Sequence, residues 1–76
     1  MKSVLVLLNT MEKVRSFVNL ISKYDYDFQF AIGEYVVDAK SIMGIFSLNL
    51  TEPLQLTIIS ESNIENLFDK LSLYMV

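Results

Sequence analysis

The sequence predicts an α+β domain with the element order βαββαβα, in which helices cover one face of a four-stranded antiparallel sheet. Two patterns carry this prediction. Hydrophobic residues alternate with polar ones in some segments and recur every three or four residues in others. The chain of 76 residues fits one domain, residues 1–76, and its 53% hydrophobic content can supply the core of so small a domain.

The composition excludes several classes of function. The sequence contains no cysteine and no histidine, so it lacks disulfides, thiolate metal ligands and the usual general base. We therefore expect no enzyme activity and no cofactor. We also expect no metal, because no further ligand joins the carboxylate pair of Asp25 and Asp27. The net charge of −3 and the six scattered basic residues disfavour nucleic acid as a partner. No apolar run is long enough for a signal peptide or a membrane span, so we expect a cytoplasmic protein.

The first predicted strand and helix lie in residues 2–24. Residues 2–8 form a continuous apolar run rich in Val and Leu, which is typical of a buried central strand. Asn9 is predicted to cap the following helix, with Glu12 three residues later as its box partner. This helix spans residues 10–24, and its apolar stripe consists of Val14, Phe17, Val18 and Ile21.

A hairpin is predicted over residues 26–37, because Tyr26, Phe28, Phe30 and Ile32 alternate with more polar residues. Gly33 and Glu34 form its tight turn, where glycine tolerates a positive φ.

The second half of the chain predicts a short helix, a strand and a closing helix. The short helix spans residues 39–48, and Pro53 ends the loop before the strand Leu54–Ile59. Ser62 and Glu65 match a capping box at the start of a helix spanning about residues 62–74.

The short helix carries the main candidate site. Ile42, Met43 and Phe46 share one face at helical spacing, whereas Ile45 and Leu48 point inward. The first three residues are either further core or an exposed surface that binds a partner. Ser41, at the head of the helix, is either an N-cap alone or also a phosphorylation site, since a phosphate would be compatible with the helix N-terminus.

The segment Lys40-Ser41-Ile42-Met43-Gly44, followed by Ser47-Leu48, resembles the HPr family of small phosphocarrier proteins. The segment SKYDYDF, residues 22–28, resembles the family's exit from the first helix. The resemblance implies an HPr-like open-faced sandwich. It also implies that Ser41 matches the regulatory serine of Gram-positive-type HPr, and that the apolar residues of the short helix contribute to partner docking.

The resemblance breaks down where the family carries phosphate. In the register set by those segments, Thr10 occupies the position of the acceptor histidine and Glu12 that of the phosphate-binding arginine. Thr10 is either the remnant of an anion site, a threonine phosphoacceptor or simply a capping residue. Arg15 and Lys40 either form a basic rim near Ser41 or are ordinary solvated charges.

The resemblance therefore implies an HPr-like protein that cannot carry phosphohistidine. It is most similar to the catabolite-repression type, which acts as a regulatory protein-interaction module switched by phosphorylation of its serine. Its partners would be proteins: an HPr kinase, a transcriptional regulator or a component of the phosphotransferase system. The alternatives are a constitutive binding module and a degenerate paralogue that is not phosphorylated.

Overall fold

The computed structural model describes residues 2–60 and 65–76 of the chain. Its elements in chain order are β1 (Lys2–Val6), α1 (Met11–Ile21), β2 (Asp27–Ile32), β3 (Tyr35–Asp38), α2 (Ile42–Phe46), β4 (Leu54–Ile59) and α3 (Glu65–Leu71). This order confirms the predicted βαββαβα arrangement. The predicted capping residue Ser62 lies outside the described residues.

The four strands form one antiparallel sheet in the order β1-β4-β2-β3. The prediction that the first strand is central was therefore wrong, because β1 lies at an edge. It also ends at Val6, earlier than predicted, and Leu5 is 50% exposed. The apolar run extends past the strand because Leu8, which follows β1, is fully buried in the core, as is Val6 at the end of the strand.

The end of the chain covers part of the β1 edge. The Leu7 N–H donates to the Tyr74 carbonyl at 2.8 Å, and the Val76 N–H donates to the Leu5 carbonyl at 3.1 Å. Val6 and Met75 form an isolated antiparallel bridge between these two bonds. Backbone groups that a sheet edge would otherwise leave unpaired are thus satisfied within the chain.

The core lies on one face of the sheet, beneath the helices. The alternation predicted for β2 and β4 is confirmed, since Phe28, Phe30, Leu56 and Ile58 are all buried. Phe17 of α1 packs against Phe30 with ring centroids 5.7 Å apart and meets the edge of Tyr74 at 5.6 Å. Offset and edge-to-face aromatic pairs of this kind add to the stabilisation from burial alone.

The predicted hairpin is confirmed. Ile32 pairs with Tyr35, which leaves Gly33 and Glu34 as the two turn residues. Gly33 has φ +59°, a conformation that costs glycine little because it has no Cβ.

Within the described ranges, no helix has both the length and the apolar character needed to cross a membrane.

Candidate functional site

Ser41 caps the N-terminus of α2. Its backbone is extended, with φ −90° and ψ 103°, and its Oγ accepts a hydrogen bond from the Gly44 N–H at 3.2 Å. Its carbonyl accepts from the Ile45 N–H at 3.0 Å, which begins the helical bonding. The predicted capping role is confirmed, and the serine side chain is exposed at the surface.

Helix α2 is shorter than the predicted helix, residues 39–48, because turns lie directly before and after it. Before it, the Lys40 N–H donates to the Asp38 Oδ1 at 2.9 Å, which holds the chain in a side-chain turn. After it, the Ser47 hydroxyl donates to the Gly44 carbonyl at 2.6 Å. Side chains that bond to nearby backbone groups compete with the helix and so limit it to five residues.

The apolar residues of α2 divide between the core and the surface. Ile45 is fully buried and Ile42 is partly buried against the core, whereas Met43 is 77% exposed and Phe46 is 42% exposed. Of the two alternatives left open for these residues, the structure has Met43 and Phe46 at the surface, and Ile42 lies between the two groups. We call Met43 and Phe46 together the α2 surface.

Gly44 allows α2 to lie close to β3. A Cβ atom added at Gly44 would be 2.9 Å from Val37 Cγ1 and 3.3 Å from Ser41 Oγ. A β-branched side chain has little freedom at χ1 to move away from such a contact. The close approach thus requires glycine, and it fixes α2 and its capping serine against the sheet.

Thr10 caps α1, so the prediction of Asn9 as the N-cap was wrong by one residue. The Thr10 Oγ1 accepts a hydrogen bond from the Lys13 N–H at 3.1 Å, with the backbone extended at φ −135° and ψ 154°. Threonine and asparagine both cap helices, so sequence alone could not choose between adjacent candidates. Glu12 lies exposed in the first turn, where a carboxylate suits the helix dipole.

Lys40 matches neither of the two roles considered for it. Its Nζ donates a hydrogen bond to the Tyr24 carbonyl at 2.7 Å and lies 5.5 Å from the centroid of the Phe28 ring. This ammonium group therefore binds the end of the first helical segment to the turn before Ser41. Arg15 is exposed on α1.

Met11 is an exposed apolar residue that sequence reasoning missed. It is the first residue of α1 and is 58% exposed. Helices α1 and α2 contact each other. Each of them carries an exposed methionine, Met11 on α1 and Met43 on α2. Helical periodicity gives no sign of this exposure, because Met11 lies three residues before Val14 and seven before Val18, in line with the stripe that enters the core.

No three His, Cys, Asp or Glu side chains within residues 2–60 and 65–76 gather in a way that could hold a metal ion. The chemical groups of the candidate site are the capping hydroxyls of Thr10 and Ser41, the exposed α2 surface and the carboxylate of Glu12.

Comparison with known proteins identifies close structural relatives. The family model "PTS HPr component phosphorylation site" matches residues 12–74, a range that begins just after Thr10. The crystal structure of HPr-C-His from Thermoanaerobacter tengcongensis is 26% identical, with a TM-score of 0.70, and covers 96% of this chain and 88% of that one. The phosphocarrier protein HPr from Bacillus anthracis str. Ames is also 26% identical, with a TM-score of 0.69 over 99% of this chain and 94% of that one. No curated protein sequence matches the chain.

Proposed function

The chain belongs to the HPr family of the phosphotransferase system, with the family's open-faced sandwich fold, and from this premise we propose that it is a regulatory protein-interaction module. In this proposal the α2 surface binds a protein partner, and phosphorylation of Ser41 switches the binding. The chain carries no phosphohistidine.

The chemistry at the start of α1 supports the last point. The sequence contains no histidine, and Thr10 uses its hydroxyl oxygen to cap the helix at 3.1 Å from the Lys13 nitrogen. A phosphothreonine is a stable ester, so it could not pass its phosphoryl group on as phosphohistidine does. Glu12 would also repel a phosphate at this helix end by like charge.

The single observation that carries the proposal is the exposure of the α2 surface. Met43 is 77% exposed on a helix whose other side is fully buried at Ile45. Methionine adapts its shape to different partners, and phenylalanine supplies contact area, so the pair suits a protein interface. Neither residue belongs to the core or to the partly buried residues packed against it.

Ser41 is well placed to control this surface. It is exposed, and it begins the same helix only two residues before Met43. A phosphate would add about −1.5 to −2 charges and three acceptor oxygens beside the apolar side chains. Such a change favours a partner with basic groups and disfavours a purely apolar one.

A kinase assay tests the switch. The protein is incubated with ATP and a kinase of the HPr type, and the product is analysed by mass spectrometry. We expect one phosphate on Ser41 and none on the variants Ser41→Ala and Ser41→Asn. The asparagine variant is the sharper control, because it keeps the N-cap while removing the phosphoacceptor. Phosphate found on either variant, or absent from the parent, would refute the switch.

A binding assay separates the switch from a constitutive module, which the same exposed surface also supports. We expect Met43→Glu to abolish capture of the partner protein, whereas Leu73→Glu should not, since Leu73 is 80% exposed elsewhere on the chain. If the partner binds the unphosphorylated protein and Ser41→Asn as tightly as it binds the protein phosphorylated on Ser41, the constitutive module is the correct function.

The claim about phosphohistidine has its own test. Incubation with phosphoenolpyruvate and the first enzyme of the phosphotransferase system should leave the mass of the chain unchanged. An acid-labile phosphate on any residue would overturn that part of the proposal.

A further inference from the structure

The outer edge of β3 is a sheet edge to which no other described strand pairs. β3 is the last strand in the sheet order and pairs only with β2 among the described residues. The opposite edge, β1, is partly covered by its bridge to Met75 and by the bonds that join residues 74 and 76 to it. The two edges of the sheet therefore differ, and β3 is the edge that no segment within residues 2–60 and 65–76 pairs with on its outer side.

The hydrogen-bonding register shows which groups β3 presents. Ile32 and Tyr35 close the two-residue turn, so they form a hydrogen-bonded pair, and such pairs alternate along an antiparallel ladder. Val36, opposite Ala31, is then a non-hydrogen-bonded position, and its N–H and C=O point away from β2. The bond from the Ala39 N–H to the Phe28 carbonyl at 2.9 Å follows the same alternation.

The side chains around this edge are apolar in the middle and acidic at both ends. Tyr35 is 76% exposed and Val36 is 60% exposed. Glu34 precedes them and Asp38 follows them, and both are exposed. An added strand would thus meet an apolar centre between two carboxylates.

We propose that this edge binds an extended segment of a partner protein, which adds to the sheet as an antiparallel strand next to β3. The segment has apolar or β-branched residues in the middle and a Lys or Arg at each end. Main-chain bonds to Val36 provide the affinity of such strand addition, and the flanking charges set the register and the choice of partner.

A second copy of this chain fits the edge poorly. Two β3 strands paired antiparallel about Val36 would place Glu34 of one copy opposite Asp38 of the other, at both ends of the pair. Like charges directly opposite each other destabilise a strand pair. The charge pattern thus opposes self-pairing and favours a basic segment. This inference does not depend on the α2 surface or on Ser41.

NMR titration tests the proposal with two synthetic peptides. The first is Lys-Thr-Val-Thr-Lys with blocked termini, in which the two Lys residues are four apart, as Glu34 and Asp38 are, and the second has Glu in place of both Lys residues. We expect the Lys peptide, at up to about 1 mM, to shift the amide signals of residues 34–39 and slow hydrogen exchange at the Val36 amide. The Glu peptide should do neither.

Matched variants identify the groups responsible. Val36→Pro removes the outward N–H without breaking a bond to β2, and should abolish binding, whereas Val36→Thr keeps the N–H and should bind as the parent does. Glu34→Gln together with Asp38→Asn should weaken binding about 2- to 5-fold for each charge removed. Asn at position 38 can still accept the Lys40 N–H bond.

Three results would overturn the inference. The first is a Lys peptide that produces no shifts at residues 34–39. The second is equal binding of the Lys and Glu peptides. The third is a shift of these amides with protein concentration alone, because that would make a second copy the occupant. Since Met43→Glu should leave peptide binding unchanged, failure here is distinguishable from failure of the proposed function.

Discussion

Lys40 reaches across the turn before α2 and donates a hydrogen bond from its Nζ to the Tyr24 carbonyl at 2.7 Å. The same ammonium lies 5.5 Å from the Phe28 ring centroid. One side chain therefore joins the end of the α1 segment, the second strand and the approach to Ser41.

Lys40→Met should destabilise the protein by about 1–3 kcal/mol, because it removes a charged donor from a part-buried carbonyl and a cation from the face of Phe28. Urea denaturation measures this loss. Lys23→Met removes the same charge from an exposed position and should change the free energy of unfolding by less than about 0.5 kcal/mol. Equal effects of the two substitutions would show that the Lys40 contacts contribute nothing specific.

Gly44→Ala should destabilise the protein by about 1–3 kcal/mol, although alanine is the better helix former. The reason is the 2.9 Å approach of an added Cβ to Val37 Cγ1. Combining it with Val37→Ala should recover part of the loss, so that the double variant is less destabilised than the sum of the single ones. Strict additivity in thermal or urea denaturation would mean that the two residues are not in contact.

Thr10→Ala should cost about 1 kcal/mol of stability, whereas Thr10→Ser should be nearly neutral, because serine also accepts the Lys13 N–H. Asn9→Ala, one residue earlier, should change stability by less than about 0.5 kcal/mol. The comparison of Thr10→Ala with Asn9→Ala discriminates between the two candidate caps. A larger loss at Asn9 than at Thr10 would contradict the observed cap.

Ser16 and Tyr74 share a hydrogen bond between their hydroxyls at 2.7 Å, which ties α1 to the end of the chain. Tyr74→Phe should therefore cost about 0.5–1.5 kcal/mol while leaving the edge contact with Phe17 in place. A double-mutant cycle with Ser16→Ala should give a coupling energy of about 0.5 kcal/mol or more. A coupling energy of zero would rule out the bond.

Ile45→Val should destabilise the protein by about 0.5–1.5 kcal/mol, because Ile45 is fully buried. Met43→Ala should change the free energy of unfolding by less than about 0.5 kcal/mol, because Met43 is 77% exposed. The comparison tests whether α2 has the orientation on which the proposed partner site depends. A marked loss at Met43 would place that side chain in the core.

Local pattern was enough to predict most of the elements. The alternation in β2 and β4, the turn at Gly33 and the capping role of Ser41 were all predicted correctly, because each depends on side chains within a few residues of one another. The same reasoning placed Ile45 inward on α2, but it left open whether Met43 lies in the core or at the surface, and the structure has it at the surface. The family's short motif further allowed the whole fold to be predicted from its resemblance.

The sequence by itself determined the order of elements, the periodicity of their buried faces and the absence of a histidine that could carry phosphate. Only the tertiary structure decided that β1 is an edge strand and that Lys40 bonds to Tyr24. The physical reason is the separation along the chain of the residues that interact. Periodicity and capping are set by neighbours along the chain, whereas strand order, the pairing of residues 74–76 with β1 and the open edge of β3 arise from contacts between residues far apart in sequence.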